Sequence, residues 1–255
     1  MNKQELIKKI IEKKEFSELP LKDVEIAFSK FDKDKYLDEE KVKFTRDLLR
    51  RVFSGFAGQK LLNWQDRKAE EVLKKHLSTR ERFQDYGEIY KRILRKLPEK
   101  ISVVDLGCGV NGFSYDFFKD AGKKVEYIGV EAVGQLVELN NGYFERGNIT
   151  GKCYHDSLFD LEQVKKLIKK TKKPRIIFMF KVVDSLEMME RDYTKRFLQE
   201  IMPLIDRCVI SFATESWMKR KKFYVNRKWL TEFIKEKWNF IDDFNIAGER
   251  YLVFE

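Results

Sequence analysis

The chain has 255 residues, 43% of them hydrophobic and 21 of them Phe, enough for one large domain or a domain with an accessory unit. A charged fraction of 37% and a net charge of +10 favour a polyanionic partner, although a Lys/Glu-rich, His-poor chain is also what heat adaptation produces. No run of 18 apolar residues occurs, the charged start lacks a signal-peptide core, and Cys108, Cys153 and Cys208 form no C-x-x-C pair; membrane spanning, secretion, a zinc site and a disulfide framework are all disfavoured, and a cytoplasmic monomer is expected.

Residues 1–97 read as helical throughout. Leu6, Ile10 and Ile11 recur at helical spacing, as do Leu48, Leu49, Val52 and Phe53, and then Tyr86, Ile89, Tyr90, Ile93, Leu94 and Leu97. Pro98 ends the last of these helices, which sets a division between a helical unit at 1–98 and a second domain at 99–255. From there strands are predicted at 101–106, 125–131, 151–155, 175–180 and 206–212, with helices at 113–121, 133–146, 160–171, 188–202 and 226–236. Strands near 238–246 and 249–254 read as a closing antiparallel hairpin. The alternation predicts an α/β domain, doubly wound and seven-stranded, preceded by an all-helical N-terminal domain.

The first predicted strand runs into Asp105-Leu106-Gly107-Cys108-Gly109-Val110-Asn111, and the second ends in Glu131. A strand, a Gly-x-Gly turn and an acid closing the next strand make a nucleoside cofactor site. Gly107 and Gly109 let the backbone approach the ligand, Glu131 accepts from both ribose hydroxyls, and Asp105 can meet a cationic amino-acid group. The third glycine of a pyrophosphate-binding turn is missing, which points away from NAD and FAD and towards S-adenosyl-L-methionine (SAM) in a Rossmann-like methyltransferase domain. After the third strand, Asp156 is placed to accept from the adenine amino group, while Asp160 is the better helix cap.

At the end of the fourth strand, Lys181 lies where methyltransferases acting on exocyclic amines carry Asn/Asp-Pro-Pro-aromatic, which this chain lacks. No cysteine is well placed as a nucleophile for carbon methylation. Lys181 with Asp184 would be the base for a ribose 2′-OH. Guanine N7 is an exposed lone pair that loses no proton on alkylation, so catalysis there reduces largely to positioning, for which Lys181 and Trp217 are the candidates. Beyond the fifth strand, Lys219, Arg220, Lys221, Lys222 and Phe223 interleave cations for phosphates with an aromatic for base stacking and form the candidate RNA contact, whereas Trp229 reads as a packing residue.

His76-Leu77-Ser78-Thr79-Arg80-Glu81-Arg82 precedes the first predicted strand by about twenty residues. His-x-Ser-Thr-x-Glu-Arg followed by D-x-G-C-G-x-Asn resembles the 16S rRNA (guanine-N7) methyltransferases of the aminoglycoside-resistance type. Supporting features are the strand ending in Lys181, the Val-Ile-Ser-Phe strand at 209–212 and the terminal Gly-Glu-x-x-Leu-Val at 248–253. The resemblance implies that Arg82 binds the SAM carboxylate, that His76 and Ser78 line the pocket with Asn111 and Lys181, and that the substrate is rRNA of the small subunit. Ser78 and Glu81 also have the spacing of a helix capping box. Gly112 replaces a proline usual after the Asn, and Ala213 replaces the proline of Ser-Phe-Pro; these departures leave the target open. Transfer to tRNA or to another RNA position is the alternative, as is an inactive RNA-binding factor on the same fold.

Overall fold

The computed structural model describes residues 1–53, 67–216, 221–222, 227–246 and 248–255, with the backbone alone at 77, 215, 216, 221 and 222. The chain opens with α1 (Lys3–Ile11), α2 (Leu21–Ser29) and α3 (Asp38–Phe53). A capping box starts α1: the Asn2 side chain accepts from the Glu5 N–H, and the Glu5 carboxylate accepts from the Asn2 N–H, both at 2.9 Å. Three acids begin α3 and two arginines end it, each against the helix-dipole end that favours it. The three helices meet through Leu6, Ile10, Val24, Phe28, Leu48 and Leu49, all buried.

Next come α4 (Ala69–Lys75), α5 (Leu77–Arg82) and α6 (Tyr86–Ile93). The backbone at His76 is extended and separates α4 from α5. Although α6 precedes residue 98, its Tyr90 ring lies 4.4 Å from that of Phe118 and 5.8 Å from that of Phe178, against the face of the sheet. Arg207 of the fifth strand donates to the carbonyls of Ile93 and Arg95, and Arg92 forms a 2.8 Å ion pair with Asp242.

The sheet strands are β1 (Lys100–Leu106), β2 (Lys124–Glu131), β3 (Gly151–His155), β4 (Arg175–Phe180), β5 (Arg207–Ala213), β8 (Phe240–Ile246) and β9 (Glu249–Phe254); a short ribbon of β6 (Glu215–Ser216) and β7 (Lys221–Lys222) follows β5. Their order is β3-β2-β1-β4-β5-β9-β8, with the first five parallel and β9 antiparallel between β5 and β8. The interleaved helices are α7 (Asp116–Asp120), α8 (Gly134–Arg146), α9 (Leu161–Lys170), α10 (Val183–Met189), α11 (Tyr193–Ile201) and α12 (Lys228–Lys237). Asp160 caps α9 by accepting from the Gln163 N–H, as its position in the sequence suggested. The expected helix at 188–202 is observed as α11, which starts only at Tyr193 because Asp192, with φ of +60°, stands outside the helical path; a separate α10 precedes it. Apolar side chains of the N-terminal helices and of both sheet faces form one continuous core from Leu6 to Phe254.

Candidate active site

The carboxyl ends of β1, β2 and β4 meet at one cleft of about 690 Å³, its open mouth included. Its floor is the turn after β1. Gly107 and Gly109 have φ of +70° and +53°, where a side chain is strained. Space forbids one as well: a Cβ at Gly107 would lie 2.8 Å from Val182 Cγ2. Glu131, buried at the end of β2, accepts from the Gly109 N–H and the Val133 N–H at 2.9 Å each, tying together the turns that follow β1 and β2. Burial raises its pKa, against the pull of those backbone donors.

The opposite wall comes from the helices. His76 and Ser78 line the cleft, with Ser78 Oγ 3.2 Å from His76 Nδ1. Burial, reinforced by the positive charges of Arg82 and Lys181, pushes the His76 pKa down to about 3, so the imidazole is neutral at physiological pH. Asp23 of α2 and Phe53 of α3 also line the cleft, as do Leu158 and Phe159 after β3.

Behind this wall lies a buried ionic cluster. Arg82, 2% exposed, has Nε 3.4 Å from Glu249 Oε2 and 3.2 Å from the Ser78 carbonyl; Nη1 is 3.5 Å from Asn111 Oδ1. Lys181 pairs with Glu81, and its Nζ is 3.1 Å from Glu249 Oε2. Ser211 donates to the other Glu249 oxygen. Glu249 on β9 thus balances two cations brought by α5 and by the end of β4. Lys181 itself has φ +58°, an uncommon state for a residue with a side chain, and its N–H donates to the Ser211 carbonyl.

Of the residues chosen from sequence, His76, Ser78, Gly107, Gly109, Glu131 and Lys181 surround the cleft. Asp105, Asn111, Arg82 and Asp156 do not line it in this structure. Asp105 accepts from Asn111 Nδ2 at 2.6 Å and from the Tyr127 hydroxyl at 2.7 Å, and Tyr86 donates to Asn111 Oδ1, so this pair braces the turn from below. Asp156 is half-buried and accepts from Gln163 Nε2 at 3.3 Å. Two sequence expectations need correction. Ser78 and Glu81 form no capping box, because Ser78 turns to His76 and Glu81 to Lys181; α5 has no side-chain cap. Lys181 and Asp184 form no pair either, since Asp184 is bound by Arg227, whose Nη1 also donates to the Ala213 carbonyl at 3.2 Å.

Trp217, Lys219, Arg220 and Phe223 lie outside the described residues, and of Lys221 and Lys222 only the backbone is described, paired with Ser216 and Glu215. The residues that sequence reasoning missed are Asp23, an acid in an amphipathic helix, and Glu249. For Glu249 a signal existed: an acid opening the final strand, ahead of the apolar run Tyr251-Leu252-Val253-Phe254.

A seven-stranded sheet in this order, with a glycine turn after its first strand and an acid closing its second, defines the Rossmann-like fold of SAM-dependent methyltransferases. A model of the ribosomal RNA methyltransferase (FmrO) family matches residues 36–252, and the chain belongs to that family. Three solved structures share the fold across all of this chain: the 16S rRNA methylase RmtB (TM-score 0.80, 16% identity, 98% of that chain), the 16S rRNA methyltransferase RmtF in complex with S-adenosyl-L-homocysteine (0.80, 19%, 99%) and an rRNA methylase from Escherichia coli (0.79, 16%, 99%). A 16S rRNA (guanine(1405)-N(7))-methyltransferase of Proteus mirabilis is 35% identical over 75 residues, a match spanning 29% of this chain and 27% of that protein.

Proposed function

We propose that the protein transfers a methyl group from SAM to N7 of a guanine in 16S rRNA, acting as a cytoplasmic monomer on the small ribosomal subunit or its precursor. The observation that carries this reading is the single cleft in which the glycine turn, Glu131 and the His76–Ser78 segment face one another. The residues present fit the cofactor. Gly107 and Gly109 leave an open backbone cradle, and Glu131, already placed by two backbone donors, keeps lone pairs for the ribose hydroxyls. SAM supplies an electrophilic methyl on a sulfonium centre.

The chain's own groups match a reaction that moves no proton from its nucleophile. Neutral His76 has its protonated form strongly disfavoured by burial and by two neighbouring cations, which makes it a poor base. Lys181 is committed to Glu81 and Glu249. A ribose 2′-OH would need a base that neither residue supplies, whereas guanine N7 needs orientation and exclusion of water. Arg82 is proposed as the residue that answers the cofactor carboxylate from behind Phe180, whose ring lies 4.9 Å from its guanidinium carbon. The ribbon β6–β7 leaves the sheet where β5 ends, and Arg227 clasps its far side to Asp184 and Ala213. Lys221 and Lys222 make up β7 of that ribbon, which supports assigning this basic stretch to RNA.

Incubating the protein with tritiated SAM and 30S particles, followed by nucleoside mass spectrometry, should yield labelled 7-methylguanosine in 16S rRNA. Label found only in tRNA, or on a ribose, would overturn the assignment of target; no transfer to any RNA would overturn the activity.

A further inference from the structure

Asp23 sits in the first turn of α2, outside the sheet domain, yet it is 2% exposed and lines the cofactor cleft. Burial pushes its carboxyl up to about 6, against a hydrogen bond from Ser157, so the group is mostly ionised at neutral pH. Its Oδ2 is buried and has no hydrogen-bond partner among the described residues. An ionised oxygen held out of water without a donor is costly, and persists where a ligand supplies the donor.

The surroundings say which part of a ligand that is. Asp23 feels the charges of Glu131, which closes β2, and of His155, which closes β3. Ser157 belongs to the loop after β3, whose Leu158 and Phe159 give the cleft an apolar flank suited to a ring. Asp156 of that same loop is turned away to Gln163. The sheet therefore presents an acid for the ribose and an apolar flank for a base, and α2 presents a carboxylate beside them.

Resting on the cofactor reading above, we infer that Asp23 accepts a hydrogen bond from the exocyclic amine of the adenine, so that the N-terminal helices read the identity of the methyl donor. This gives the helical unit a part in choosing an adenine over a base with a carbonyl at the same position. A neutral amide there would lose the charge and gain a donor of its own.

Calorimetry with S-adenosyl-L-homocysteine and S-inosyl-L-homocysteine, which carries a carbonyl oxygen in place of the amine, tests the inference. Wild type should prefer the adenosyl compound by roughly 10- to 100-fold, the scale of one hydrogen bond to a charged group. Asp23→Asn should lose most of that preference while its thermal transition stays cooperative; Asp23→Ser serves if Asp23→Asn does not fold. A wild type that binds both compounds equally, or an Asp23→Asn variant that keeps the full preference, overturns the inference and leaves the cofactor site standing. A wild type that binds neither compound sinks the cofactor reading itself, and this inference with it.

Discussion

The two walls of the cleft are held in place by different physics. The sheet wall is local: β1, its glycine turn and Glu131 are placed by strand register and by two backbone hydrogen bonds within one β-α-β unit. The helical wall is assembled from a distance. Glu81 and Arg82 arrive from α5, Lys181 from the end of β4 and Glu249 from β9, and their mutual neutralisation in a buried space fixes where His76 and Ser78 stand. A wall built on hydrogen bonds between neighbours can be dented residue by residue, whereas one built on buried charge is lost when its central anion is removed.

The largest effect should therefore fall on the helical wall. Glu249→Ala leaves Arg82 buried without its counter-charge and Lys181 with Glu81 alone, and stability should drop by about 3–5 kcal/mol in urea denaturation. A loss below about 1 kcal/mol, the scale of a surface pair, would show that the cluster does not anchor this wall. Next comes the sheet wall. Glu131→Ala should lower SAM affinity on the order of 100-fold by calorimetry, through lost charge-assisted hydrogen bonds, with a smaller change in stability than Glu249→Ala. Unchanged affinity would remove Glu131 from the site.

The smallest effect concerns the brace under the turn. Burial raises the Asp105 carboxyl from its ordinary 3.8 to about 6, opposed by its hydrogen bonds to Asn111 and Tyr127. The folded chain keeps this proton where the unfolded chain has lost it, so the stability it contributes is fullest below pH 3.8 and is lost as pH rises through 6. Relative to Asp105→Asn, wild type should gain about 1.3 kcal/mol as pH falls from 7 to 5. Parallel pH profiles for the two proteins would place the ionised form of Asp105 in the native brace.

What could be read from the sequence follows the same division. The seven strands, the closing hairpin and the glycine turn were legible because short continuous apolar runs and Gly-x-Gly report on their own neighbourhoods. The Ser78–Glu81 spacing misled because a capping box competes with tertiary partners: Lys181, a hundred residues away in the chain, takes Glu81 instead. The helix predicted from 188 starts only at Tyr193 because a single left-handed residue, Asp192, has no strong local signature. Asp23 was invisible for a related reason. An acid in the first turn of a helix is where the dipole favours one, and only the folded chain shows that this one is turned inward to the cleft.

The unbroken apolar core running from Leu6 through the sheet to Phe254 bears on how such a protein can change. A recognition unit joined by a linker can be exchanged by recombination, because each half keeps its own interior. Here the helices and the catalytic sheet share an interior, so a foreign N-terminal unit would arrive with the wrong shapes on its inner side. New target preferences are then open mainly to substitutions on outward faces, one residue at a time.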